Sequence, residues 1–252
     1  MADTCGEYES PVLSGIWADF VDWEKRRAGE NGFLENALRA HGCNRVLDAA
    51  SGDGCDAVHL SKLGFSVLAN EQSAEFSKVL RANCEREKVG LDFSGFDWRE
   101  FGEKFEENSF DAIVLCGNSF GCLFDAGDRR AALRGFLKIL RKGGVLVIDE
   151  RNSPRILSNR DAALGGKLNG RGKFVYCGSR VRAQPVEISE ERIVMKYEHE
   201  NGDCASLSFY PFKRGELLSH LREAGFGEVE RFSDYAPGFD ENAEFYQYVA
   251  IK

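Results

Sequence analysis

A short run of small and acidic residues offers the clearest chemistry in this chain. Residues 45–48 have strand character, and Gly52 and Gly54 follow at once. Because glycine lacks a Cβ, the backbone can turn sharply there and lie against a ligand. A helical pattern then begins at Asp56, and the amides that open it face any polar group held in the turn. Glu71 ends the next strand-like run, where a carboxylate can accept from both hydroxyls of a ribose.

These features indicate the nucleoside-binding first half of a doubly wound α/β domain. The pattern Gly52-x-Gly54-x-x-Ala57 does not identify the ligand, because nicotinamide dehydrogenases share it. Asp97-Trp98, at the end of the third predicted strand, is a second indication. The Asp97 carboxylate can accept from an adenine amine while Trp98 flanks the base, although a strand-end carboxylate beside a core aromatic residue remains the alternative.

Two further strand ends carry polar side chains. Gly117 lets the backbone approach a ligand closely, and Asn118 offers a donor and acceptors. Arg151, after the fifth strand, has a planar fork suited to a carboxylate. The alternative for Arg151 is a salt bridge to Glu150 or another neighbour. In open α/β sheets the ligand lies outside these strand ends, so we expect Asn118 and Arg151 to face the same crevice as the glycine turn.

The elements that must position these residues alternate between strands and helices. Strands are predicted at 45–50, 65–71, 91–97, 110–116 and 145–149. Helices are predicted from Val12 onward and at 32–40, 56–63, 74–88 and 128–142. This alternation predicts a parallel sheet with right-handed crossovers.

After Arg151 the pattern changes. Residues 155–172 are rich in glycine and are expected to form a loop. Short alternating segments follow, and the Asn-Gly pair at 201–202 indicates a hairpin. Strands are predicted at 173–176, 180–187, 191–199 and 204–210, followed by a helix at 213–224 and strands at 227–233 and 244–251.

We therefore expect a mostly parallel seven-stranded sheet with a small antiparallel insertion between strand 5 and the last helix. The predicted divisions are 1–154 for the N-terminal arm and cofactor-binding core, 155–212 for a substrate-lid insertion, and 213–252 for completion of the core.

Composition excludes several classes of protein. The chain has 252 residues, 43% of them hydrophobic and 29% charged, as in an ordinary globular protein. A net charge of -8 argues against sequence-independent nucleic-acid binding, which needs a basic face. No apolar run long enough for a membrane span and no N-terminal signal is evident, so a cytoplasmic location is expected. The eight cysteines form no C-x-x-C pair and the four histidines are isolated, so reduced thiols and no metal site are expected.

The chain resembles a known family over nearly its whole length. It is similar to glycine N-methyltransferases and, more closely, to the glycine sarcosine N-methyltransferases of osmolyte-making microbes. The motifs that carry the resemblance are residues 20–26 (FVDWEKR), 41–48 (HGCNRVLD), 116–120 (CGNSF), 123–125 (LFD) with 128–130 (DRR), 147–152 (VIDERN), 176–178 (YCG) and 208–211 (SFYP). The first and fifth are specific to that group, whereas the glycine turn is common to class I methyltransferases.

The resemblance implies a Rossmann-like fold, S-adenosyl-L-methionine as cofactor and S-adenosyl-L-homocysteine as product. It places Arg26 on the methionyl carboxylate with Trp17 nearby. The other implied cofactor residues are Ala50 and Gly52 at the turn, Glu71 on the ribose, Asp97 and Trp98 at the adenine, and the backbone of Cys116. The implied substrate residues are Asn118 and Arg151, with Tyr176, Tyr197 and Tyr210 closing over the site and Tyr8 as the N-terminal active-site tyrosine.

Three positions depart from the family pattern. Glu71 replaces the usual Asp, Cys122 replaces a common His near the methionyl group, and Phe20 lacks a hydroxyl that the animal enzyme carries. The last two suggest an altered site.

The expected activity is N-methylation of glycine, sarcosine or both. Another small carboxylate-bearing amine, such as dimethylglycine, is the first alternative, and a nicotinamide-dependent oxidoreductase is a further one. A nucleic-acid methyltransferase is disfavoured, because no Asn/Asp-Pro-Pro-aromatic motif follows the fourth strand. The partner is then a small amino acid rather than nucleic acid or membrane, and a monomer or weak homo-oligomer is expected.

Overall fold

One sheet organises the molecule. The computed structural model describes residues 7–167 and 178–252. Seven strands lie in the order β3-β2-β1-β4-β5-β10-β9. Strands β1 to β5 are parallel, and β10 runs antiparallel between β5 and β9. The strands of this sheet are β1 (Arg45–Asp48), β2 (Ser66–Asn70), β3 (Asp92–Ser94), β4 (Phe110–Leu115), β5 (Leu140–Arg151), β9 (Val229–Ser233) and β10 (Phe245–Ile251).

Helices cover both faces of the sheet, which explains the nearly continuous apolar sequences of β4 and β10. The α-helices of the described ranges are α1 (Pro11–Phe20), α2 (Trp23–Glu30), α3 (Phe33–Ala40), α4 (Cys55–Lys62), α5 (Ala74–Glu87), α6 (Phe101–Lys104), α7 (Ala126–Ile139), α8 (Ser153–Ser158), α9 (Arg160–Leu164) and α10 (Glu216–Ala224). Two 3₁₀ turns, Trp98–Glu100 and Ser119–Cys122, follow β3 and β4.

Two buried clusters form the core, one on each face of the sheet. One is built around Phe110, Phe136 and Tyr248, and the other around Leu38 and Leu80. These clusters hold the strands in register, so the loops at the strand ends start from fixed positions.

A separate antiparallel sheet forms the insertion. Its strands are β6 (Val181–Ile188), β7 (Ile193–His199) and β8 (Cys204–Phe209). The β7–β8 hairpin turns at Gly202, whose φ of 96° suits glycine, which confirms the hairpin predicted there. The inner face of this sheet packs on α1 through Leu13 and Ile16.

The expected fold class is confirmed, but several local predictions were wrong. Residues 155–172 were expected to be a loop, yet α8 and α9 lie within 153–164, and Asn152 caps α8 by accepting from the Arg155 amide at 3.1 Å. Helix α2 was not predicted, because its sequence WEKRRAGE has no apolar stripe. Strand β5 begins at Leu140 rather than at residue 145. The strand predicted at 173–176 lies outside the described residues.

Within residues 7–167 and 178–252, no helix combines the length and apolar composition needed to cross a bilayer.

Candidate active site

A cavity of about 1070 Å³ opens at the carboxyl ends of β1, β2, β4 and β5. It brings together most of the residues singled out in the sequence, as the strand-end argument predicted. The predicted site residues that line it are Tyr8, Trp17, Arg26, Ala50, Gly52, Glu71, Asp97, Trp98, Cys116, Asn118, Arg151 and Tyr197. Tyr210 does not line it, and Tyr176 lies outside the described residues.

The glycine turn has the geometry that its sequence predicted. Gly52 has φ 54° and Gly54 has φ 92°, both in the left-handed region that favours glycine. A Cβ at Gly54 would lie 2.5 Å from Cδ1 of Leu80, so the turn packs tightly on α5. The Ser51 amide donates to the Asn70 carbonyl at 3.0 Å, which ties the turn to the end of β2.

Glu71 is the centre of the ribose end. Its Oε2 accepts from the Gly52 amide at 2.7 Å, and its Oε1 accepts from the Ser73 amide at 2.8 Å. The Tyr8 hydroxyl donates to Oε2 at 3.3 Å, while the Tyr8 ring stacks on Phe76 with centroids 4.5 Å apart. Burial raises the pKa of Glu71 to about 7, although these hydrogen bonds oppose the rise. The carboxyl group therefore titrates in the neutral range.

At the predicted adenine end, Asp97 and Trp98 are held by hydrogen bonds to nearby residues of the protein. Asp97 accepts from both the backbone and the guanidinium of Arg99, whose hydrogen bonds outweigh burial and lower the Asp97 pKa. The Trp98 indole donates to the Ala49 carbonyl at 2.7 Å, so this ring fixes the glycine turn. Contact of Asp97 and Trp98 with a base remains a prediction.

The predicted methionyl end contains a buried ion cluster. Arg26 donates from Nη2 to Asp56 at 2.6 Å and from Nε to Glu30 at 2.8 Å. Arg27 pairs with the same two carboxylates. Burial raises the pKa of Asp56, but the two arginines outweigh it and the net shift is downward. Nη1 of Arg26 has no partner in the described part of the chain, so it is the atom that can bind a ligand carboxylate.

A second cation, Arg151, lines the cavity at the end of β5, where the amino-acid substrate was predicted. The Arg151 guanidinium lies 4.6 Å from the centroid of the Phe245 ring, and no ion pair to it is found among the described residues. Glu150, the suggested salt-bridge partner, instead accepts from the Tyr248 hydroxyl at 2.5 Å. Asn118 accepts the Arg151 backbone N–H through Oδ1 at 2.9 Å. The Arg151 charge is therefore available to a ligand.

Aromatic rings form part of the cavity wall. Trp17, Phe20 and Tyr197 lie with ring centroids 4.9 to 5.5 Å apart. Tyr210 was predicted to belong to this lid, and its hydroxyl donates to Glu216 at 2.9 Å. Successive residues of an extended segment point to opposite faces, and the preceding Phe209, not Tyr210, lines the cavity. A role for Tyr210 in closing over the substrate remains a prediction.

Several residues that line the cavity were not assigned a role from the sequence, among them Asp149, Tyr235, Arg155 and Glu244. Asp149 and Tyr235 line the cavity and hold the loop after β4, whereas Arg155 and Glu244 line it with their charged groups 4.0 Å apart. Asp149 could have been inferred from its place at the end of β5. Nothing in the sequence marked Tyr235 or Glu244, since they lie in the segment between β9 and β10.

The residues present fit S-adenosylmethionine. A buried carboxylate at the end of β2 suits a ribose diol, and a glycine turn that leaves the backbone bare suits the nucleoside. Arg26 suits one carboxylate, and Arg151, which lines the same cavity, offers a second carboxylate site. The arrangement can therefore hold a nucleoside amino acid and a small acid in one crevice.

Comparison with known proteins supports this interpretation. Residues 46–144 match a family described as methyltransferase domain. The chain is 34% identical over 236 residues to the glycine/sarcosine N-methyltransferase of Parasynechococcus marenigrum (strain WH8102), which covers 94% of this chain and 81% of that protein. It is 32% identical over 244 residues to the glycine/sarcosine/dimethylglycine N-methyltransferase of Actinopolyspora halophila, covering 94% of this chain and 41% of that protein.

The fold is shared with more distant methyltransferases. A crystal structure of an S-adenosylmethionine-dependent methyltransferase from Clostridium acetobutylicum ATCC 824 superposes with a TM-score of 0.71 at 17% identity, covering 95% of each chain.

Proposed function

Because this chain belongs to the glycine/sarcosine N-methyltransferase family, we propose that it transfers a methyl group from S-adenosylmethionine to the amine of glycine, sarcosine or both. The observation that carries the proposal is that one cavity is lined both by the glycine turn and by Arg151, which has no ion-pair partner among the described residues. A nicotinamide oxidoreductase is not supported by any of these findings.

The residues of the cavity would act by holding two reactants in line. S-adenosylmethionine, when bound, supplies a methyl group on a positively charged sulfur. Arg26 would hold the carboxylate of this cofactor, and Glu71 its ribose. Arg151 would hold the carboxylate of the amino acid and so aim its nitrogen, with Asn118 beside it. Such positioning can account for much of the rate acceleration, since a displacement of this kind needs no metal or enzyme nucleophile.

The aromatic wall would select the reactive form of the amine. The amino group of a free amino acid is more basic than a peptide N-terminus, whose pKa is about 8, so nearly all of it is protonated and non-nucleophilic at neutral pH. Trp17, Phe20 and Tyr197 surround the middle of the cavity with apolar surface, which disfavours the charged ammonium. The proton that the substrate ammonium loses before transfer goes to water, and the methylated nitrogen keeps the positive charge.

A second substrate is favoured by a specific observation. Phe20 and Phe209 present rings without hydroxyls to the cavity, and such apolar faces accept additional N-methyl groups more readily than a polar wall would. The Actinopolyspora halophila relative is named for dimethylglycine as well. We therefore propose dimethylglycine, or another small carboxylate-bearing amine, as the alternative substrate.

Product analysis tests both candidates. Purified protein is incubated with methyl-labelled S-adenosylmethionine and, separately, glycine, sarcosine, dimethylglycine and β-alanine, and the products are identified by mass spectrometry. Label in sarcosine or dimethylglycine is expected. Label only in betaine, or only in the β-alanine product, would move the assignment to the alternative. In parallel, S-adenosylhomocysteine but not NAD should raise the melting temperature.

A further inference from the structure

A buried carboxylate clamps the loop that carries the substrate residues. Asp149, at the end of β5, accepts from the Asn118 amide through Oδ1 at 2.6 Å and from the Gly117 amide through Oδ2 at 3.0 Å. Both loop residues have left-handed backbones, with φ of 80° at Gly117 and 61° at Asn118. One carboxylate thus holds two consecutive amides, and this fixes where the Asn118 side chain points.

A tyrosine from a distant segment completes the clamp. The Tyr235 hydroxyl donates to Oδ2 of Asp149 at 2.8 Å, and the Tyr235 side chain is 8% exposed. The backbone conformation of the residues that follow β9 directs the Tyr235 side chain toward Asp149. Asp234 and Tyr235 have φ of 50° and 58°, a strained pair for residues with side chains. The Tyr235 amide donates to Gln247 at 2.9 Å, which fixes this turn on β10.

We propose that Tyr235 is a positioning residue for methyl transfer, acting through Asp149 on the Gly117–Asn118 turn. The chain of contacts continues to the substrate end, because Oδ1 of Asn118 accepts the Arg151 backbone N–H. Tyr235 therefore helps to fix the positions of Asn118 and Arg151, the two residues proposed to bind the amino acid. At the cofactor end, Glu30 still holds Arg26 and the Ser73 amide still holds Glu71, so only the backbone of Cys116, next to Gly117, is linked directly to the clamped turn. This inference rests on the proposed function.

Because Asp149 must be ionised to hold the two amides well, the proposal predicts that the effect of losing Tyr235 depends on pH. Burial raises the pKa of Asp149, while the hydrogen bonds of Asn118, Tyr235 and Gly117 and the nearby charge of Arg26 lower it. The other titratable groups that face it are the adjacent Glu150 and the buried thiol of Cys116. Loss of the Tyr235 hydroxyl raises the Asp149 pKa further. A protonated carboxyl group is a poorer acceptor for two amides, so the loop should loosen as the pH falls.

The matched experiment compares Tyr235→Phe with Tyr248→Phe. Both remove a buried hydroxyl that donates to a buried carboxyl on β5, but Tyr248 does not line the cavity. For Tyr235→Phe, kcat/KM for the amine should fall roughly tenfold, while the dissociation constant of S-adenosylhomocysteine changes less than about threefold. The ratio of wild-type to variant kcat/KM should grow as the pH is lowered, because the variant raises the Asp149 pKa further. This ratio cancels the titration of the amine itself. Tyr248→Phe should change stability only.

A double-mutant cycle with Asp149→Asn shows whether Tyr235 acts through Asp149. Asp149→Asn should lower amine kcat/KM at least as much as Tyr235→Phe, and the double variant should be no worse than Asp149→Asn alone. Additive losses would overturn the proposal, as would unchanged amine kinetics in Tyr235→Phe or equal losses in Tyr248→Phe. Absence of methylation by the wild-type protein would instead refute the proposed function, so the two failures are distinguishable.

Discussion

Replacing Arg151 with Ala removes the only contact proposed between protein charge and the substrate carboxylate. The side chain is partly buried, and within the described ranges its guanidinium has no carboxylate partner. Its backbone N–H, bound by Asn118, is unaffected by the substitution. Truncation at Cβ therefore deletes the ligand-binding fork while leaving the loop in place.

The expected magnitude lies between two limits. An exposed ion pair is worth up to about 1 kcal/mol, and breaking a fully buried one costs about 3–5 kcal/mol. A partly buried, hydrogen-bonded pair at Arg151 should be worth about 3 kcal/mol, which corresponds to roughly a hundredfold change in an equilibrium constant. We expect the KM for glycine or sarcosine to rise about a hundredfold. S-adenosylhomocysteine binding should survive, because Arg26 and Glu71 are untouched.

Arg231→Ala is the matched control. The Arg231 guanidinium lies 4.4 Å from the Phe239 centroid, much as that of Arg151 lies over Phe245, but Arg231 does not line the cavity. Initial rates against amine concentration at saturating cofactor, with calorimetry of S-adenosylhomocysteine, make the comparison. Unchanged amine kinetics in Arg151→Ala, or the same loss in Arg231→Ala, would refute the assignment.

Three further predictions concern the cofactor turn, the ion cluster and the lid. Because Glu71 has a pKa of about 7 and binds a diol as the carboxylate, wild-type affinity for S-adenosylhomocysteine should fall as pH drops through 7. Calorimetry from pH 5.5 to 8.5 should show that Glu71→Gln binds S-adenosylhomocysteine more weakly and with less dependence on pH. In Glu150→Gln the affinity should depend on pH as in the wild type. Arg27→Ala should destabilise the fold by about 3 kcal/mol in urea unfolding, since Asp56 and Glu30 lose a buried partner; less than 1 kcal/mol would contradict the cluster's role. Tyr210→Phe should leave amine kinetics within about twofold, since its hydroxyl bonds Glu216; a tenfold loss would restore it to the site.

The core of the fold was predictable because the central strands of the sheet had to be apolar on both faces. The uninterrupted run at Phe110–Leu115 and the glycine turn are dictated by local requirements that the sequence displays directly. Helix α2 was not predictable in this way. It buries charges, not an apolar stripe, so its pattern is visible only once Asp56 is known to lie opposite.

The residues of the site likewise fall into those that local sequence patterns predict and those that depend on tertiary contacts. Residues at strand ends, such as Glu71 and Asn118, were found because parallel strands bring their carboxyl ends to one edge. Tyr210 does not line the cavity, because a resemblance gives the neighbourhood of a residue but not the face of an extended chain on which its side chain lies. Tyr235 escaped notice because its role depends on a tertiary hydrogen bond across 86 positions of sequence.

Arg26 and Arg151 both line the cavity, but among the described residues only the charge of Arg26 is balanced by protein carboxylates. This difference follows from the groups that contact each arginine. Arg26 shares Asp56 and Glu30 with Arg27, so its charge is already balanced and the direction of its remaining N–H groups decides what it binds. Arg151 rests on an aromatic ring, which orients the guanidinium without cancelling its charge. A zwitterionic cofactor tail suits the first arrangement, because its own ammonium group would be repelled by an unbalanced cation. A small amino acid that must present a neutral nitrogen carries net negative charge, and it suits the second.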